Sequence, residues 1–214
     1  MTCPLILAAA LPAFLEFFVR GGFFMAILVI LSIFSLAVII QRALVITMDR
    51  VLPPVVLKTV ENFKARSSTE TLQRVFANEP SPLSRVLTTL LQHRDWPRAE
   101  ALDAVQTRAR HEISRMESGL VFLEITTGIS PLLGLLGTLS GLVGIFGSIG
   151  DHGDPQIVAS GISEALNCTI VGLGVAVPNL IAYNYFTRRV EVISIELESI
   201  TTDLMAKLVL GRER

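Results

Sequence analysis

The chain has 214 residues, of which 51% are hydrophobic, and its 18 Lys and Arg nearly cancel its 19 Asp and Glu. A mean hydropathy of +0.59 argues against an ordinary soluble domain, and the balanced charge argues against a nucleic-acid-binding face. The apolar residues gather into three runs without Asp, Glu, Lys or Arg, at 21–41, 125–150 and 165–187; about 20 residues at 1.5 Å each cross a hydrocarbon core of roughly 30 Å, so each run is long enough to span a bilayer as a helix.

In chain order, the first 20 residues carry two prolines and Glu16, with no Lys or Arg among the first 15. A basic n-region is therefore missing, and an interfacial segment leading into the first span is expected, with a cleaved signal as the alternative. The first span, 21–41, is rich in Phe and Ile and is expected to face lipid. Region 42–124 is helical with breaks at Pro53-Pro54 and at NEPSP (78–82). Leu83, Val86, Leu87, Leu90 and Leu91 then recur at helical spacing, and Asp95 is expected as the N-cap of the next helix with Pro97 in its first turn. Over 98–118 charges of both signs alternate, which predicts a solvated helix face laced with ion pairs worth about 0.3–0.5 kcal/mol each.

The second span, 125–150, contains seven glycines. At 100° per residue Thr127, Ser130, Gly134, Gly137, Thr138 and Gly141 share one face, opposite Leu132, Leu133, Leu136, Leu139 and Val143. The third span, 157–187, follows the short acidic loop 151–156 and repeats the design. Its small or polar stripe is Gly161, Ala165, Cys168, Thr169, Gly172, Ala176, Asn179 and Tyr183, opposed by Leu166, Ile170, Leu173, Val177 and Ile181. Small stripes let helix backbones approach closely in lipid, so Gly134, Gly137, Gly141, Gly172 and Ala176 are expected as packing and partner contacts. A membrane hydroxyl commonly bonds its own i−4 carbonyl, which is the bland account of Thr138 and Thr169; their place on the stripped faces of two spans favours a polar lumen. Glu164, at the edge of the third stripe, is an intramembrane acid and hence a candidate for an ion or proton pathway, the alternative being an interfacial anchor or a carboxylate satisfied by a neighbouring subunit. Pro178 removes the donor to the Gly174 carbonyl and is a candidate hinge, a hydrated carbonyl being the alternative.

Twelve of the 18 Lys and Arg lie between Arg42 and Arg115, five lie after Thr187, and one, Arg20, precedes the first span. The positive-inside bias puts 42–124 and the C-terminal helix 188–214 in the cytoplasm, and 1–20 and 151–156 outside. Cys3 and Cys168 then lie at different depths and are not expected to form a disulfide.

"SPLLGLLGTLSGLV", "GISEALNCTIVGLGVAVPNLIAYNYF", "ESGLVFLEITTGI" and the first span together resemble the ExbB, TolQ and MotA proton-channel family, most closely its ExbB/TolQ branch. The resemblance implies an all-α integral membrane protein with three transmembrane helices and long cytoplasmic helical extensions, assembled as a pentameric ring in the bacterial inner membrane. It implies two copies of a single-span ExbD/TolR-type partner whose aspartate carries protons, and a TonB/TolA-type energy transducer. Thr138 and Thr169 match the family's pore-facing threonines and Glu164 its third-span glutamate; Asn167-Cys168 departs from the small apolar pair expected there.

The function so implied is that of a proton-channel or stator subunit with no cofactor beyond the coupling ion, sodium remaining open. The alternative is a non-conducting scaffold that uses its small stripes only to glue helices. A self-contained transporter lacks an internal repeat and a midplane charge. An enzyme lacks a nucleophile, metal or phosphate-binding constellation, the three histidines being scattered.

Overall fold

A computed structural model describes residues 22–63, 69–148 and 155–210. The N-terminal segment 1–20, the loop before Pro155 and the last four residues lie outside the described residues. Those described are all α-helical, and three helices are long and apolar enough to cross a membrane: α1 (Gly22–Val45), α7 (Leu120–Ser148) and α8 (Pro155–Leu210), with four-residue α2 (Met48–Val51), α3 (Pro54–Asn62), α4 (Thr69–Asn78), α5 (Pro82–Gln92) and α6 (Arg98–Glu117) between them. The 56-residue α8 runs unbroken past Thr187 and through Pro178, where a separate C-terminal helix was expected; at 1.5 Å per residue it is about 84 Å long.

The chain divides into two compact units. The first combines α1 up to Ile40 with Val121–Tyr183. Its interior holds Met25 and Leu28 of α1 with Cys168 of α8, and Phe24, Leu133 and Val171 pack against them. Leu133, assigned by angle to the bulky outer face, thus turns toward the core. The other bulky residues remain outward, with Leu132 at 60%, Val143 at 72%, Ile170 at 63% and Ile181 at 65% exposure, the apolar coat that a helix presents to lipid.

The second unit is Gln41–Leu120 with the C-terminal part of α8. Ser81 caps α5, its Oγ accepting the Ser84 N–H at 3.1 Å, while Pro82 occupies the first turn where its missing donor costs nothing. α5 buries Leu83, Val86, Leu87, Leu90 and Leu91. The N-cap position of α6 is Pro97, not Asp95. Asp95 lies two residues too early to reach the first free N–H groups and pairs with Arg94 at 3.5 Å.

Two basic side chains of α8 bond backbone carbonyls at the ends of other helices. Arg189 Nε donates to Ile46 O at 3.1 Å, just past α1, and Lys207 Nζ donates to Val60 O at 3.0 Å and Glu61 O at 3.2 Å in the last turn of α3. The last carbonyls of a helix lack the N–H groups of a following turn, Val60 O taking only the Phe63 N–H at 3.3 Å among the described backbone groups, and a cation also matches the negative end of the helix dipole.

The expectation of a solvated face over 98–118 fails at Glu112. Its side chain is 1% exposed and makes a two-pronged pair with Arg85 of α5, Nε to Oε1 at 2.9 Å and Nη2 to Oε2 at 2.6 Å, with Arg108 Nη2 at 3.0 Å from Oε1. Burial raises the carboxyl's pKa, but the Arg85 hydrogen bonds and the charges of Arg85, Arg108 and Arg115 outweigh it and hold the group below its ordinary value of 4.5. Removing one partner of a buried pair strands the other, so Glu112→Gln is expected to destabilise the protein by roughly 3 kcal/mol, the low end of the usual range because Arg85 keeps some solvent. The folded pKa is depressed, so this stabilisation is complete above about pH 4.5 and is lost as pH falls toward the folded value. Thermal unfolding in detergent from pH 7 to pH 3 is expected to show a steep acid limb in the native protein and a flatter one in Glu112→Gln.

Candidate functional site

The site lies where α7 and α8 cross antiparallel inside the first unit. A Cβ on Gly172 would sit 2.6 Å from Ser130 O and 3.0 Å from Gly134 Cα; one on Gly134 would sit 2.9 Å from Cys168 O and 3.0 Å from Thr169 Cα. Backbone touches backbone, with no room for a side chain. One turn on, a Cβ on Gly137 would collide with the Cys168 side chain, and one on Gly141 would lie 3.0 Å from Ala165 Cβ. Ala176 is buried on the same stripe. A Cβ on Gly128, Gly144, Gly147 or Gly174 meets nothing within 4 Å, so close packing among the described residues does not account for them.

The approach brings Thr138 and Thr169 together. Thr138 is 8% exposed, and its Oγ1 lies 2.5 Å from Thr169 Oγ1, 3.1 Å from its own-helix carbonyl at Gly134 and 3.1 Å from Ala165 O across the interface. Thr169 Oγ1 also reaches Gly134 O at 3.1 Å. The bare Gly134 backbone is what lets a hydroxyl of the facing helix reach its carbonyl. Two hydroxyl protons serve four short contacts, so one hydroxyl donates to the other while the remaining proton goes to a carbonyl. Reversing that order needs only rotation about two C–O bonds.

Around the pair the polar residues behave more plainly. Thr126, Thr127 and Ser130 of α7 each donate to their own i−4 carbonyl, at 2.8, 2.8 and 2.7 Å. Ser35 of α1, Thr126, Ser130 and Asn179 are all buried. Ser35 and Thr126 carry no sequence signal beyond that of one hydroxyl among others in an apolar run. Glu164 lies in α8 five residues before Thr169, and its side chain lies outside the described residues. Pro178 is exposed within the continuous helix. Among the described residues no three His, Cys, Asp or Glu converge as metal ligands do.

Residues 78–199, which contain the threonine pair, Glu164 and all the packing glycines, match the model of the MotA/TolQ/ExbB proton channel family. A protein of Methanothermobacter thermautotrophicus named putative biopolymer transport protein ExbB homolog is 29% identical over 178 residues, covering 83% of this chain and 64% of that protein. The biopolymer transport protein ExbB of Neisseria gonorrhoeae is 25% identical over 184 residues, 72% of this chain and 84% of its own. The Tol-Pal system protein TolQ of Haemophilus influenzae is 29% identical over 204 residues, with 84% and 86% covered. The chain therefore belongs to the MotA/TolQ/ExbB proton channel family, and it spans just under two thirds of the length of the archaeal relative.

A methyl group at the helix crossing is expected to separate the two backbones. Gly172→Ala should destabilise the protein by about 1–3 kcal/mol, as overpacking does. Gly174→Ala, two residues away with open space, should be neutral or stabilising by up to about 1 kcal/mol. Thermal unfolding of the two variants in detergent, side by side, measures the difference.

Proposed function

We propose that the protein is the proton-channel, or stator, subunit of an inner-membrane energy-coupling complex of the ExbB/TolQ type. In this function it forms a homopentamer around two copies of a single-span ExbD/TolR-type partner, whose membrane aspartate takes up and releases protons, and the ring drives a TonB/TolA-type transducer at the cell envelope. The N-terminus lies outside, and 42–124 and the C-terminus lie in the cytoplasm, as the Lys and Arg distribution favours.

The observation that carries this function is the hydroxyl-to-hydroxyl pair of Thr138 and Thr169 from two spans, in the helix that also bears Glu164 about 7.5 Å of rise before Thr169. A hydroxyl pair that can donate in either direction offers a carboxylic acid an acceptor and its carboxylate a donor, so both protonation states of a passing aspartate are met. Glu164 adds an ionisable group where lipid would exclude one. A proton crossing 100 mV releases about 2.3 kcal/mol, so a few protons per step exceed thermal energy and bias a rotation.

A scaffold without conduction is favoured by one feature: the threonine contacts close within the chain, as helix glue requires. The two functions separate under mutation. Glu164→Gln and the paired change of Thr138 and Thr169 to Val are expected to leave the ring and its partner intact, as read by intact-complex mass spectrometry, and to abolish proton-driven activity in cells. Full activity in both variants would establish the scaffold instead. The same spectra of the native complex are expected to show about five copies of this chain with a small single-span protein bearing a membrane aspartate.

A further inference from the structure

Besides the threonine pair, the first unit buries a second polar group of residues deeper along the bundle. Leu28, Leu133, Val171 and Cys168 pack in one cluster. At one end of the unit Gly22, Phe23 and Phe24 line a cleft with Gly141, Ile145, Gly161 and Ala165, so α1 runs parallel to α8 and antiparallel to α7. Moving from the cluster away from that cleft, Ser35 lies seven residues along α1, Thr126 seven residues back along α7 and Asn179 eight residues along α8. At 1.5 Å per residue all three fall about 10–12 Å below the cluster, within one helical turn of one another. Their exposures are 4%, 1% and 1%.

The hydrogen-bonding capacity of this layer is lopsided. Ser35 Oγ donates to Ser32 O at 3.0 Å and Thr126 Oγ1 donates to Phe122 O at 2.8 Å. Both hydroxyl protons are committed, and both oxygens keep lone pairs. Asn179 Nδ2 is a donor and has no hydrogen-bond partner among the described residues. At 1% exposure in the single chain, neither lipid nor a second copy of the chain nor a partner helix can reach it. A group that satisfies the whole layer is small, accepts from an amide and donates to hydroxyl oxygens.

We propose that Asn179 binds one water molecule in the interior of the three-helix unit, the water accepting from Nδ2 and donating to the hydroxyl oxygens of Ser35 and Thr126. Three such bonds are what a buried water ordinarily makes. The site joins all three spans of one subunit at a depth where each supplies one polar group. It does not depend on whether the threonine pair conducts.

A cryo-electron microscopy map of the native assembly in lipid nanodiscs, at a resolution that shows ordered waters, tests the site directly. One water peak is expected within about 2.7–3.2 Å of Asn179 Nδ2 and of the Ser35 or Thr126 hydroxyl. A dry layer, with the amide bonded to a protein oxygen or to nothing, would overturn the proposal. X-ray hydroxyl-radical footprinting in native membranes gives a second readout. Buried Leu123 and Val175, one turn from the layer, are expected to be modified more than lipid-facing Ile181, and Asn179→Leu is expected to abolish that excess; an excess that persists in an assembled Asn179→Leu ring would count against the site. Should Asn179→Leu fail to assemble, the map of the native complex decides alone.

Discussion

The structure of the membrane unit depends on the contact between two bare stretches of backbone, at Gly134 on α7 and Gly172 on α8. In lipid no gain in apolar burial draws helices together, because acyl chains solvate Leu as well as another helix does. What remains is dispersion at short range and polar contact, and both grow steeply as backbones approach. Two glycines opposite each other set that distance near its lower limit, and the rest follows from it. Cys168 and Ala165 fill the space beside Gly137 and Gly141, and the Gly134 carbonyl comes within 3.1 Å of a hydroxyl on the other helix. Bulky residues are displaced to the outer faces of the same helices, where lipid receives them at no cost.

The second unit is held by different means. There α5 buries five aliphatic residues along one face, and side-chain charge is used inside, with Glu112 gripped by Arg85 and Arg108. A buried charge pair rarely exceeds a well-packed apolar substitute in stability. Its distinctive property is directional: two parallel N–H to O bonds fix the register of α5 against α6, which Leu contacts alone leave softer.

The two small stripes were legible in the sequence because a period of 3.6 residues survives any tertiary context, and a run of Gly, Ala, Thr and Ser at that period stands out against Leu and Ile. The threonines were legible for the same reason, as members of those stripes. Glu112 was not, although a trace of it was there: Ala101, Val105 and Met116 are buried on one face of α6, and position 112 continues their spacing, so one acid among many sat on the apolar register. Charge alternation hid it. A face drawn by angle from one helix puts Leu133 outside, because it takes no account of Met25 and Leu28 of α1, against which Leu133 packs. Residue type alone favours Asp95 as a cap, whereas the extended Pro97 sets where α6 can begin. Ser35 and Thr126 gain their meaning only from the third helix, which no periodicity within one segment reveals.

In the proposed topology the Lys and Arg excess in 42–124 and beyond Thr187 has two physical uses, and they do not compete. Arg189 and Lys207 bond neutral carbonyls at helix ends, and such a bond leaves the full positive charge in place. Arg85 and Arg108 are partly neutralised by Glu112. The orientation bias, however, responds to cations near the ends of spans and is nearly blind to acids. The cations that follow the first and third spans, Arg42, Arg188 and Arg189, are not paired with Glu112, which takes its partners from well inside the 42–124 segment. Arg188 does meet Glu191 at 2.6 Å, but both side chains are more than half exposed, and an ion pair in that setting contributes little. The charges that favour an inward-facing C-terminus thus remain where that bias acts, while the same kind of residue further along the chain is free to serve the internal architecture of the second unit.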